Sequence, residues 1–208
     1  MMGFIKFIFG LLFFLALLAI IGRIFLFETA TTYSYSMVPN LVGGDTFIVQ
    51  TVGLIGSGDI AVCENPENSS SLVVLRVIGV PGDKLQIKKN HLIINGETIQ
   101  HQHNDPLIYA DSTSGEDLEY TVRIATEYVG GHYFDVALMD RAGGKNFKKV
   151  TVPDGQFFML GDNRNMARDS RNFGFVPIES CVGKAVFLLW TKGDSGDLLR
   201  SYRVLSWI

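Results

Sequence analysis

The sequence predicts an all-β domain behind one N-terminal apolar helix, and three observations carry that prediction. The run from Phe7 to Gly22 holds no charged residue, and IFLF beyond Arg23 brings the apolar stretch to about twenty residues. From Thr29 onward the pattern changes to alternation and short apolar runs: TFIVQTV, DIAVCE, SLVVLRVIGV, KLQIKKN, HLIING, YTVRIAT, YFDVALMD, KKVTVPD, QFFMLGD and KAVFLLW. No stretch after that point keeps a helical period with caps for more than a couple of turns.

The first element, residues 1–28, is expected to be a retained single-pass transmembrane anchor. About twenty apolar residues suffice to cross a hydrocarbon core of about 30 Å, with Lys6 and Arg23 reaching the headgroups at either end. A cleaved secretory signal has a shorter apolar region, about 7–15 residues, ending in a small-x-small site. Here the run is longer and the following TATT is a weak cleavage pattern. Charge does not orient the anchor, because Lys6 and the amino terminus are opposed by Arg23. The β core is expected over 29–97 and 150–208, with a more polar β insert over 98–149. Asn95-Gly96, GGHY and AGGK mark hairpin turns.

Composition excludes several classes. At 208 residues and 47% hydrophobic, the chain is neither disordered nor collagenous. With 18 basic against 21 acidic side chains it has no excess of positive charge for phosphates, so nucleic acid is not an expected partner. Two cysteines, Cys63 and Cys181, make neither a disulfide scaffold nor a zinc site. Both read as buried free thiols, although spacing alone leaves a single bridge between them open. The histidines are scattered, HQH (His101 and His103) reads as a solvated strand-edge pair, and no metal or cofactor set emerges.

Three segments say more than strands require: TYSYSMVPNLVGGD, LRVIGVPGDKLQI and GDNRNMARDSRNFGFVP. Singly, each is ordinary turn chemistry. Together, in this order, behind an apolar N-terminus and followed by VGKAV, they resemble the bacterial signal peptidase I family, membrane-bound serine endopeptidases that remove signal peptides from exported proteins. The resemblance spans about Ser34 to Val186. It implies a β-sheet catalytic domain near the bilayer surface, on its extracytoplasmic side, that binds substrate as an extended strand. It also implies Ser36 as nucleophile and Ser34 as a hydroxyl that helps hold the oxyanion.

A serine hydroxyl is protonated at neutral pH, so attack on a carbonyl needs a base within hydrogen-bond reach. The resembled family uses a lysine whose pKa burial lowers, oriented by a second serine. That lysine immediately precedes the arginine of R-x-x-G-x-P-G-D. Here the arginine is Arg76 and the residue before it is Leu75. The orienting serine falls at Ala167. Two positions that would touch are thus both replaced, by residues that make a small apolar contact, which reads as a paired loss. Arg168 is a third departure, a long cation where the family has a small residue near the substrate pocket. Lys84 reads as a solvated loop charge, and Arg76 stays protonated, so neither replaces the base.

The retained parts complete the expectation. Arg76, Asp162, Asn163, Asp169 and Arg171 match the family's structural polar framework, with Arg76 expected in an ion-pair cluster with Asp169 and Arg171. Met37, Leu41, Val74 and Arg168 match the substrate cleft, although ordinary core is the simpler reading for each apolar one. The resemblance implies a bacterial cytoplasmic-membrane protein whose partners are signal peptides of preproteins, membrane lipid and an active paralogue. Its catalysis is expected to be impaired. The alternatives are an active peptidase with an unidentified base and a non-catalytic peptide-binding regulator.

Overall fold

The computed structural model describes residues 2–111, 118–139, 146–191 and 206–208. It begins with α1 (Met2–Leu26), 25 residues of almost wholly apolar sequence. Its described apolar side chains, such as Phe7, Phe9 and Phe13, are exposed and pack on no other part of the chain's core clusters. Among the described residues, which omit the side chains at 2, 19, 21 and 23–25, no helix is long and apolar enough to cross a membrane.

Among the described residues the rest is β-sheet with two short helical turns. In chain order the strands are β1 (Phe27–Thr31), β2 (Asp45–Gln50), β3 (Ile60–Asn65), β4 (Asn68–Gly79), β5 (Lys84–Lys88), β6 (His91–Ile94), β7 (Glu97–Thr98), β8 (Gln102–Asp111), β9 (Leu118–Val129) and β10 (His132–Leu138). They continue with β11 (Phe147–Thr151), β12 (Gln156–Leu160), the helical turn α2 (Ser170–Phe173), β13 (Val176–Pro177), β14 (Cys181–Thr191) and β15 (Ser206–Trp207). A large sheet runs β1-β2-β14-β3-β4-β12-β13, with β15 added to β14. Two smaller sheets are β11-β5-β6-β7 and β10-β9-β8.

The predicted turns form as their residues require. Asn95 and Gly96 both have positive φ between β6 and β7, and Gly130 and Gly131 do the same between β9 and β10. The AGGK turn lies outside the described residues.

One core cluster sits in the large sheet and includes Phe47, Val49, Ile60, Leu75, Met159 and Leu188. A second joins the four-stranded sheet to β9, β10 and β12 through Leu85, Ile87, Ala125, Val136 and Phe158. Strand alternation explains why neighbouring residues of β4 part company: Leu75 enters the first core, whereas the Arg76 guanidinium reaches Asp162 and lies 3.9 Å from the centroid of Phe134.

Two expectations need correction here. Cys63 and Cys181 are not free thiols but a disulfide, because β3 and β14 are neighbours in the sheet and place the two residues opposite one another. His101 is not solvated: its side chain is buried against the Glu127 carboxylate at 2.8 Å and stacks on His91 at 4.8 Å. The neighbouring strand β9 supplies that carboxylate, which a reading of HQH alone does not reveal. The side chain of His103 lies outside the described residues.

Candidate functional site

A cleft of about 720 Å³ opens between residues 30–36 and Leu72–Leu75 of β4, with Val62, Met166 and Arg168 completing its lining. Sheet order explains the opening. β1 lies at the end of the large sheet and, among the described residues, pairs only with β2. β4 pairs with β12 only through Arg76, Val77 and Gly79, so among the described residues its outer edge is open from Asn68 to Leu75. Two unpaired backbone edges therefore border one groove, the arrangement that accepts an added strand.

Ser36 lies in this cleft, just beyond β1. The Ser34 hydroxyl donates to Ser36 Oγ at 2.9 Å, and Ser34 Oγ accepts the Ser36 backbone N–H at 3.1 Å. The two hydroxyls and an amide thus converge where the sequence predicts nucleophile and oxyanion donor. Among the described residues, Ser34 is the one side chain hydrogen-bonded to the Ser36 hydroxyl. The wall nearby is apolar: Leu75 lines the same cleft and is 2% exposed, fixed opposite Ala61 of β3 by the strand register.

The third motif holds the serine loop from below. Asn163 donates its backbone N–H to the Ser36 carbonyl at 3.0 Å and its amide to the Tyr35 carbonyl at 3.2 Å. Asp162, fully buried, accepts from Arg76 Nε at 2.9 Å, Arg76 Nη2 at 2.7 Å and Asn40 Nδ2 at 2.7 Å. Asp169 caps α2 and accepts from the Gly161 N–H and from Arg171 Nε and Nη2. The expected single cluster of Arg76, Asp169 and Arg171 is thus two separate ion pairs, Arg76 with Asp162 and Arg171 with Asp169. Each carboxylate meets a guanidinium fork from its own side of the loop.

Two of the four cleft residues predicted from sequence line the cleft, Val74 and Arg168. Met37 and Leu41 do not, being 2% and 0% exposed members of the large core cluster. Lys84 is exposed at the start of β5, with no contact to the cleft lining. Ala167 is buried beside Gly161 rather than in the cleft lining. A Cβ on Gly161 would come within 2.2 Å of Ala167 Cβ and 2.6 Å of the Ser36 carbonyl oxygen. Gly161→Ala is therefore expected to displace the serine loop and destabilise the chain by about 1–3 kcal/mol, the usual range for overpacking. A thermal melt checks this, and an unchanged midpoint would show the loop is free to move aside.

Sequence reasoning missed three residues around the site. Glu127 of β9 is 1% exposed and receives Arg164 Nη1 at 2.7 Å as well as His101. Burial raises its carboxyl pKa, but Arg164 and His101 outweigh that and hold it at about 2. Glu67, in the turn between β3 and β4, takes both Nε and Nη2 of Arg168. Arg164 stood inside the GDNR motif, a visible signal; Glu67 and Glu127 carried none beyond their charge.

What fold and site define is a β-sheet protein with a serine-bearing groove between two unpaired strand edges. The family model described as signal peptidase, peptidase S26, matches residues 4–190. The chain belongs to that family. It is 34% identical to the signal peptidase I of Rickettsia typhi over 161 residues, covering 73% of this chain and 60% of that protein. The signal peptidase I of Rickettsia conorii is likewise 34% identical over 164 residues, with the same coverage. The chain thus spans about 60% of the length of the curated relatives it matches. A solved signal peptidase I from Enterococcus faecalis aligns at 26% identity and a TM-score of 0.39, covering 64% of this chain and 97% of that one.

Proposed function

We propose that this chain is a membrane-anchored member of the signal peptidase I group that binds signal peptides of exported preproteins as extended strands in the Ser36 cleft, with impaired catalysis. The observation that carries the reading is the composition of that cleft: a serine pair between two open strand edges, faced by Leu75 where a base is needed. Ser36 is the nucleophile position and Ser34 the oxyanion hydroxyl. Leu75 and Ala167 are the lost base and its lost orienting group. Without a proton acceptor, the Ser36 hydroxyl attacks a peptide carbonyl only slowly, since removing an acid-base group costs about 10²–10⁴-fold.

The anchor and its setting have their own support. Counted whole, with the apolar Ala19, Ile21, Ile24 and Phe25 whose side chains are not among those described, α1 of 25 residues would be about 37 Å long, which matches a bilayer core. It runs directly into β1, and its Leu26 carbonyl accepts the Thr51 N–H at 3.1 Å. Beside that junction Val52 and Leu54 are exposed, Leu54 at 92%, which suits a surface resting on lipid. The Cys63–Cys181 disulfide fits an oxidising compartment, hence a β domain on the extracytoplasmic side of a bacterial cytoplasmic membrane. An active paralogue is the natural partner for a member that binds but does not cut.

A second reading, an active peptidase with a base supplied from elsewhere, is favoured by the retained Ser34–Ser36 hydrogen bond. One experiment separates them. The purified full chain in detergent, compared with Ser36→Ala, is expected to bind a labelled signal peptide saturably while its turnover stays at the Ser36→Ala background. Turnover that disappears in Ser36→Ala would establish the active reading, and absence of saturable binding would remove both.

A further inference from the structure

The cleft carries one charge that its apolar walls do not require. Arg168 lines it between Met166 and the serine loop, and its guanidinium holds Glu67 through both Nε and Nη2. Glu67 belongs to the short turn joining β3 to β4, so the pair crosses from the third motif to the tip of the hairpin whose open edge borders the groove. Both partners stay accessible, the Arg168 side chain at 66% and that of Glu67 at 38%. The two-point contact presents a fork that fits a carboxylate, and the hydrogen bond from Arg168 holds the Glu67 carboxyl below its usual range.

We propose that the Arg168 guanidinium is a carboxylate-recognition subsite of the cleft, occupied in the unliganded chain by Glu67, and that the extended peptides bound there carry an acidic side chain in register with it. The inference rests on the peptide-binding reading above and names its substrate class.

The exchange is physically easy. A solvent-exposed ion pair contributes little, because both partners regain good hydration when it opens. Glu67 sits at a hairpin tip and returns to water without leaving a buried charge. An incoming carboxylate meets the same planar fork, but now beneath a peptide that covers Val62, Leu72, Val73 and Val74 and excludes water from the pair. A peptide with glutamine at that register leaves the internal pair in place and gains nothing from it. One with lysine there likewise meets the closed pair and gains nothing from the guanidinium. Discrimination therefore runs acidic over neutral and basic alike at one register.

The test uses the full chain in detergent and fluorescence anisotropy with labelled neutral peptides of small and apolar residues, through which a single Glu is stepped position by position. Each has Gln and Lys counterparts. At one register the Glu peptide is expected to bind about fivefold or more tightly than its Gln and Lys counterparts. Arg168→Ala erases that Glu-over-Gln difference, Arg168→Lys restores part of it, and Glu67→Gln widens it by removing the internal competitor. Equal binding of Glu and Gln peptides at every register overturns this inference while leaving peptide binding intact. A Glu67→Gln change that shifts all peptides alike also overturns it, since the pair would then serve only to staple the hairpin. If no peptide of any charge binds, the peptide-binding reading fails, and this inference with it.

Discussion

Leu75→Lys combined with Ala167→Ser is expected to raise signal-peptide cleavage at least ~10²-fold over the wild-type chain, an effect that vanishes when Ser36→Ala is added. The argument starts from β4, whose register with β3 fixes position 75 opposite Ala61 and on the wall of the Ser36 cleft. Leu75 is 2% exposed, so an amine placed there loses most of its hydration. Desolvation favours the neutral form and lowers the lysine pKa from its usual value of about 10.4, making it a proton acceptor near neutral pH. The receiving hydroxyl is already held by Ser34, and the Ser36 carbonyl by Asn163. Rate should rise with pH through that lowered pKa and then level off. Leu75→Lys alone is expected to recover less, because its neutral amine lacks a hydroxyl to orient it. A folded double variant without turnover would show that the cleft lacks more than its base, and Arg168 would be the next residue to change.

How much of this was legible beforehand depended on whether a feature is local. Short apolar runs in DTFIVQ, IAVCEN and LVVLRVIG marked β2, β3 and β4, because strands whose successive residues are buried on both faces read as near-continuous hydrophobic runs. The Asn95-Gly96 and Gly130-Gly131 turns were legible for the same reason, each being a backbone requirement met by adjacent residues. The serine loop and Leu75 were legible as motif positions, and the fold brings both to one cleft. What escaped was long-range. Cys63 and Cys181 meet only because β14 inserts between β2 and β3, a sheet order that spacing does not encode. Arg76 was assigned the wrong carboxylate because Asp162 and Asp169 stand seven residues apart in one motif, and only the fold decides that Arg76 of β4 meets the first while Arg171 meets the second. Met37 and Leu41 matched cleft positions of the resembled family, and their side chains instead lie in the core, the simpler reading their apolar character already offered. Glu67 and Glu127 gain meaning only through partners that the tertiary fold supplies.

Glu127→Gln is expected to destabilise the chain by about 3–5 kcal/mol, the usual loss when one partner of a buried ion pair is removed. The carboxylate is 1% exposed and receives both Arg164 and His101, so the substitution leaves the Arg164 guanidinium, 7% exposed at its side chain, facing a neutral amide. The same carboxylate predicts a pH dependence of definite sign. Its folded pKa of about 2 lies below the ordinary value of 4.5, so the unfolded chain binds its proton more readily. Its stabilising contribution is therefore complete above about pH 4.5 and is lost progressively as pH falls through about 2. Urea unfolding of the wild-type chain should show that acid limb, and Glu127→Gln should show a lower midpoint at pH 7 whose gap from wild type narrows toward pH 2. A gap independent of pH would mean that shape rather than charge is what Glu127 supplies. The consequence reaches the cleft. Arg164 hydrogen-bonds its backbone N–H to the Ala137 carbonyl and accepts Arg171 at its own carbonyl, and Asn163 beside it holds the serine loop. Losing the buried pair loosens the support beneath Ser36, so peptide affinity should fall along with stability even though Glu127 lies outside the cleft lining.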